Sequence, residues 1–457
     1  MMELARTHSG PSTPRRGLIC VVLSALLLFG VTSLPAQSKL PPGSFGQNVE
    51  VVGYNDLSGH PAFKLAIQEV AGRWLLYLGS FWERGWMIVD VTDPAHSNFI
   101  KWIPGPDNTT TVQMDWVGNG KMETPVGRIP AGRDGDSTKP YDGGFYMWDL
   151  TDPLNPKKTG HWKSEGTHRN YYDGGKYVYA SSRMEGYDGQ ILVIVDVSNP
   201  TLPKEAGRWW VPGQHTAGGE KATEEGVSLH GPAVPVGNLL YLPYGSAGMI
   251  VLDISDVSKP KQVGQLDFAP PFHYGIAVHT VVPVPDRKIA IVNSEAGNSE
   301  AEFCREPSNH ASIVDIADPA NPWLISQLPR PMVPPGYPLR DFCDKGRFGP
   351  HNLNTLQWSP FVEKQNDLLY LTYFTAGLRF YDISDPRAPK EVGYFIPPDP
   401  TKRYGPLPTT LVTDTEDVLV DTRGYIYITD RNQGIWILRY TGPKPGQRVN
   451  RTPEGIR

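Results

Sequence analysis

The chain has 457 residues, with 43 basic against 48 acidic side chains and a formal net charge of −5. It has no basic block beyond its first residues, which argues against nucleic acid or an anionic membrane surface as partner. At 39% hydrophobic residues it is neither disordered nor multi-spanning. Its 47 glycines and 45 prolines make about a fifth of the chain against an average near 12%, so many turns and few long helices are expected.

The elements begin with an address. Arg6, Arg15 and Arg16 precede an apolar run over residues 18–31, followed by Leu34-Pro35-Ala36. Residues 1–36 therefore read as a signal peptide cleaved after Ala36. The run is shorter than the 18 or so residues that a membrane span needs. Arg15-Arg16 also fits the twin-arginine route, which exports folded proteins. The mature chain is expected in the periplasm or secreted, and not membrane-spanning. With Cys20 in the leader, Cys304 and Cys343 remain, and in an oxidising compartment they are expected to form a disulfide.

From residue 37 to 443 one pattern recurs. Met87-Ile88-Val89-Asp90-Val91-Thr92-Asp93-Pro94 is followed by Met147-Trp148-Asp149-Leu150-Thr151-Asp152-Pro153 and by Leu192-Val193-Ile194-Val195-Asp196 before Asn199-Pro200. The same motif is centred on Asp253, Asp315 and Asp382, and a seventh copy has Arg439 at the Asp position. The steps between these positions are 59, 47, 57, 62, 67 and 57 residues. Each unit reads as four strands, with turn residues between aromatic and β-branched runs. Seven such units predict an all-β, seven-bladed β-propeller forming a single domain. Residues 444–457 read as a polar tail. The recurring Asp is read as structural, its carboxylate accepting N–H groups of the following turn. The segment 49–54 looks like the fourth-strand segment 390–395, while the last repeat stops at its third strand. The N-terminal strand is therefore expected to complete the last blade and leave no open edge.

Residues 192–196 spell LVIVD, and the chain resembles the LVIVD-repeat β-propellers, secreted bacterial proteins. The resemblance implies the fold and no reaction.

Aligning the units on their second strands brings out a functional signal. His168 and His230 each stand seven residues before the turn that opens that strand, Glu416 does the same in the seventh blade, and His279 fits within one residue. His351 opens the corresponding segment of blade six. Five consecutive blades thus place four imidazoles and a carboxylate at the start of the innermost strand, around the mouth of the channel. The second-to-third-strand loops of that face hold Glu83, Arg84, Arg183, Tyr244, Glu295, Tyr373 and Arg431. A purely structural histidine would not cluster in contiguous blades.

Neutral imidazoles converging with a carboxylate suit a transition metal ion, Fe, Cu, Zn or Mn. His168, His230, His279 and His351 are the expected ligands, with Glu416, Arg183 and Tyr244 as catalytic groups. Glu165 and Glu225 are candidates to orient the imidazoles. The arrangement looks like that of carotenoid-cleaving oxygenases, where four histidines at a propeller axis hold iron; the likeness is of architecture, with no shared motif. The expectation is an exported, monomeric, metal-dependent oxidoreductase or hydrolase acting on a small organic substrate. The alternative is a non-catalytic envelope propeller that binds a protein, peptide or glycan through Trp82, Tyr244, Tyr373 and Phe374. Because neighbours on a strand point to opposite sides, only one of Glu416 and Asp417 is expected to face the channel.

Overall fold

The third strand of each repeat is apolar on both faces, and such a strand needs cover on both sides. The computed structural model supplies it. It describes residues 40–446 apart from residues 116, 132–134, 223–226, 269–275, 298–303 and 305–308. The leader over 1–36, Glu225 and most of the tail thus lie outside the described residues. In the strand Gln190–Asp196, Leu192 and Ile194 pack with Leu240, Leu242 and Leu252 of the next sheet. Val193 and Val195 pack with Phe145 and Met147 of the preceding one. The next hairpin alternates likewise, Tyr241 and Val251 meeting Ala290 and Val292. The core is a series of apolar layers between seven antiparallel sheets arranged as blades around an axis, in one compact unit that begins at Leu40.

Blade one shows the pattern: Ala62–Val70 innermost, then Arg73–Ser80, Gly85–Asp90 and Asn98–Pro104. Four regular strands do not occur everywhere. The innermost strand of blade three is reduced to bridges at Thr167 and Tyr171, and that of blade six to one at Leu353. Side chains compete for the backbone there: Asn352 N–H, for example, donates to Thr372 Oγ1 at 3.1 Å.

The repeated Asp behaves as its sequence context predicts. Asp90, Asp149, Asp196, Asp253, Asp315 and Asp382 each accept the N–H two residues on, at 2.7–2.9 Å. The acidic or amide residue three positions later repeats the contact, as in Asp152 with Leu154 N–H at 3.0 Å and Asn199 with Thr201 N–H at 3.1 Å. Two successive Asx turns set the direction in which the fourth strand leaves.

Those turns touch the neighbouring blade at one place. The fourth strands carry a glycine where the next blade's turn carbonyl arrives. A Cβ on Gly160, Gly207 or Gly264 would lie 1.9–2.0 Å from the carbonyl oxygen of Pro200, Val257 or Pro319 respectively. In blade five Ser326 stands there and donates to Pro386 O at 2.6 Å. In blade one Tyr77 OH donates to Pro153 O at 2.9 Å.

The ring closes as expected. Val49–Asn55 pairs antiparallel with Gly434–Tyr440 as the outermost strand of blade seven. Gly53 meets Pro94 O of blade one at the usual place, with 2.1 Å to a built Cβ. A second N-terminal strand, not anticipated from the sequence, extends blade six: Phe45–Gln47 pairs with Lys390–Ile396. Asn48, at φ 56°, turns the chain between the two, and its side-chain amide donates to Val392 O at 2.6 Å.

A methyl group at Gly264 would force blades four and five apart. Gly264→Ala is expected to lower stability by about 3 kcal/mol, read as a shifted urea midpoint with an unchanged slope.

Candidate functional site

Bulges in the inner strands aim side chains at the channel mouth. In blade one Phe63 and Lys64 lie opposite the single residue Gly79, and in blade seven Glu416 and Asp417 lie opposite Thr429. In blade five the register jumps from Ile276↔Glu295 to Thr280↔Asn293, which sets His279 beside Glu295. An extra residue re-aims its neighbours without ending the sheet.

The four histidines form an arc. Ring centroids are 4.9 Å apart for His168 and His230, 4.8 Å for His230 and His279, and 5.0 Å for His279 and His351. Burial holds all four well below the usual imidazole range, so they are neutral. Their free nitrogens are not equivalent. His351 Nδ1 donates to Glu416 O at 2.9 Å, and its Nε2 accepts from Arg169 at 3.2 Å. His279 Nδ1 lies 2.7 Å from Thr280 Oγ1; in the tautomer that donates to this hydroxyl, Nε2 is a bare lone pair.

His279 Nε2 faces Glu295. Glu295 Oε2 lies 3.2 Å from His279 Nε2 and 3.4 Å from His230 Nε2. All three atoms are buried without a hydrogen-bond partner. Arg347 grips the other oxygen of Glu295 at 2.7 Å and also donates to Ala296 O. Two ligand atoms on a tetrahedral ion with bonds of about 2.1 Å stand ~3.4 Å apart, so these separations fit a metal. Among the described residues, His230, His279 and Glu295 form a group whose ligand atoms are near enough to share one ion.

The rest of the axis is charged and dry. Glu416 sits 3.2 Å from His351 Nδ1 through Oε2 and pairs with Arg431, which also reaches Asp414 at 3.2 Å. Burial pushes Glu416 up to about 8 against the pull of Arg431. Asp417 takes the other direction, to Lys64 Nζ at 2.9 Å and Leu65 N–H at 3.0 Å. Arg169 spans the axis to Asn352 Oδ1 at 2.8 Å. On the blade-two side Asp115 and Glu123 adjoin out of water, and burial raises both, Asp115 to about 6.

The predicted residues therefore separate. His230 and His279 offer free nitrogens, and the His230 side chain is 18% exposed. His168 forms part of the wall of a cleft of about 430 Å³, together with Arg183. His351 is committed to Arg169 and Glu416, and Glu416 faces it rather than the Glu295 group. Tyr244 is not brought to the site: it is buried between blades three and four, its OH donating to Gln214 Oε1 at 2.6 Å. Tyr373 and Phe374 are buried as well, which leaves Trp82 of the four proposed contact aromatics. Phe374 stacks on His351 at 4.6 Å. Glu165 is exposed at the cleft. Sequence reasoning placed Glu295 on the right face without making it a ligand; the bulge that sets it beside His279 leaves no mark in the sequence. Arg347 gave none.

The Cys304–Cys343 disulfide forms, closing 39 residues. It joins the segment after Glu295 to the one before Arg347. No described helix is long and apolar enough to cross a membrane.

Ring, blades and axial cluster define a seven-bladed β-propeller. A family profile described as LVIVD repeat matches residues 175–210 and 235–267, so the chain is a β-propeller that carries LVIVD repeats. No curated protein matches the sequence. Among solved structures, the β-propeller domain of Cps50 (Swd1) from Myceliophteria thermophila is similar at a TM-score of 0.51 and 12% identity, over 85% of this chain and 99% of that one. A protein from Lactobacillus plantarum gives a TM-score of 0.49 at 11% identity, over 80% and 93%. The first likeness speaks to the fold alone.

Two outcomes follow for the axis and its rim. Lys64→Met strands Asp417 and is expected to cost about 3–5 kcal/mol, most of it recovered in Lys64→Met/Asp417→Asn, by urea denaturation. Serine at both Cys304 and Cys343 is expected to remove about 2–4 kcal/mol, seen as a lower Tm under non-reducing conditions.

Proposed function

We propose that the protein is an exported transition-metal enzyme acting on a small organic molecule, with the ion held by His230, His279 and Glu295. The observation that carries the reading is that two orphaned, buried nitrogens, His279 Nε2 and His230 Nε2, lie 3.2 and 3.4 Å from a third orphaned atom, Glu295 Oε2. Buried polar atoms are normally satisfied, and an ion would satisfy all three. Two histidines and a carboxylate with further positions open is a donor set for Fe(II), and Zn(II) also accepts it.

When bound, such an ion supplies Lewis-acid or redox chemistry at its open positions. The chain's own residues prepare the place. Thr280 stands where it can accept a proton from His279 Nδ1, which would free Nε2 for an ion, and Arg347 holds Glu295 Oε1 so that Oε2 faces the imidazoles. These contacts set the orientation of the ligands. His168, next along the arc and in the wall of the cleft, is placed to meet a substrate or to add a further ligand. Glu416, paired with Arg431, stands behind His351 rather than among the ligands. The leader and the disulfide support an exported location.

Metal analysis of untagged protein from its own export route tests this. About one equivalent of iron, zinc, copper or manganese is expected, lost in His230→Ala/His279→Ala and strongly reduced in Glu295→Gln. Removal by chelator and return of metal at a hundredfold over Kd should raise stability by about 2.7 kcal/mol. A folded, metal-free protein whose Tm ignores both chelator and added metal would overturn the reading.

A further inference from the structure

The cleft that reaches His168 also has walls and charges of its own. Trp82, Val112 and Tyr141 line it with Arg128, Glu165 and Arg183, and its volume is about 430 Å³. That volume suits a small molecule. Among the described residues two guanidinium groups face it, and they are held very differently.

Arg128 is committed. Its side chain donates to the carbonyls of Asp136, Ser137 and Lys139 at 2.9–3.2 Å and lies 4.3 Å over the Tyr141 ring. Arg183 is held only by its backbone. Its N–H donates to Gly166 O at 3.0 Å, its carbonyl accepts from Glu165 N–H at 3.2 Å, and its Cα is in register with Gln190. Its side chain is exposed and has no ion pair or hydrogen bond with the described residues. Among the described residues Glu165 is the single carboxylate of the lining, and it does not pair with Arg183.

A rigidly based, unengaged guanidinium beside an aromatic wall is an anion receptor, since its planar fork matches a carboxylate in two parallel hydrogen bonds. Trp82 supplies the wall. It holds a left-handed backbone conformation at φ 64°, which a bulky residue seldom adopts and which places its ring against both this cleft and the adjoining one of about 640 Å³. The neighbouring Val112 adds apolar surface, while His168 lies in the same lining, 4.9 Å from His230.

We propose that this cleft binds a small organic carboxylate with a flat, apolar body. Arg183 holds the carboxylate, Trp82 and Val112 hold the body, and His168 and His230 meet the opposite end. The last clause rests on the metal-site reading; the binding of the anion does not. Arg183 is thus a specificity residue, and the metal cluster lies at the reacting end.

Benzoate is the probe, with benzyl alcohol as its uncharged counterpart, titrated calorimetrically into the mature protein both chelator-treated and metal-loaded. Saturable benzoate binding is expected in both forms, with benzyl alcohol at least tenfold weaker. Arg183→Gln should weaken benzoate roughly tenfold to a hundredfold, the loss of a charged hydrogen-bonded contact, and Arg183→Lys should recover part of it. Benzyl alcohol affinity, metal content and the circular dichroism spectrum should not change in Arg183→Gln. Equal benzoate affinity in wild type and Arg183→Gln, or no saturation in wild type, overturns the proposal. Absence of metal in the wild type, with benzoate binding intact, instead defeats the proposed catalytic role and leaves the anion site standing.

Discussion

The whole arrangement depends on how closely one blade's turn approaches the next blade's outer strand. At Gly160, Gly207 and Gly264 a carbonyl oxygen occupies the space where any side chain would begin. The contact fixes the separation of adjacent blades at the rim. The histidine arc, with ring centroids at 4.8–5.0 Å, forms where the inner strands of neighbouring blades converge. The Asx turns matter because they deliver the carbonyl to its place.

Much of this was legible in the sequence, and for a physical reason. A strand buried on both faces must be apolar throughout, so Leu192 to Val195 announce a blade interior wherever they recur. Turn chemistry is local, so the aspartates could be assigned from their neighbours alone. The closing strand was visible because Gly53 sits in the same context as Gly393. What escaped was the N-terminal strand on blade six, because three residues joined through a left-handed Asn48 carry no pattern.

The site was legible in part. Histidines at a fixed offset from a repeated strand must converge if the blades do. Which nitrogens are free is a different matter, since it depends on partners from other blades: Arg169 from blade three takes His351, and Thr280 turns His279. Glu295 reaches the cluster through a bulge whose size the sequence does not display. Tyr244 shows the opposite limit. Its loop is on the right face, yet a phenol ring is large and apolar enough to be drawn into the layer between two blades, where Gln214 satisfies its hydroxyl.

The pairing of Val49 with Tyr440 has a consequence in time. The strand Val49–Asn55, made early, has its partner among the last strands to be made, so nearly the entire chain lies inside one closing loop. Contacts this distant in sequence form slowly, and until they form blade seven keeps an open edge able to recruit strands from other molecules. The ring is therefore completed in a single late event. A chain interrupted anywhere along its length exposes that same edge, however well its finished blades are packed.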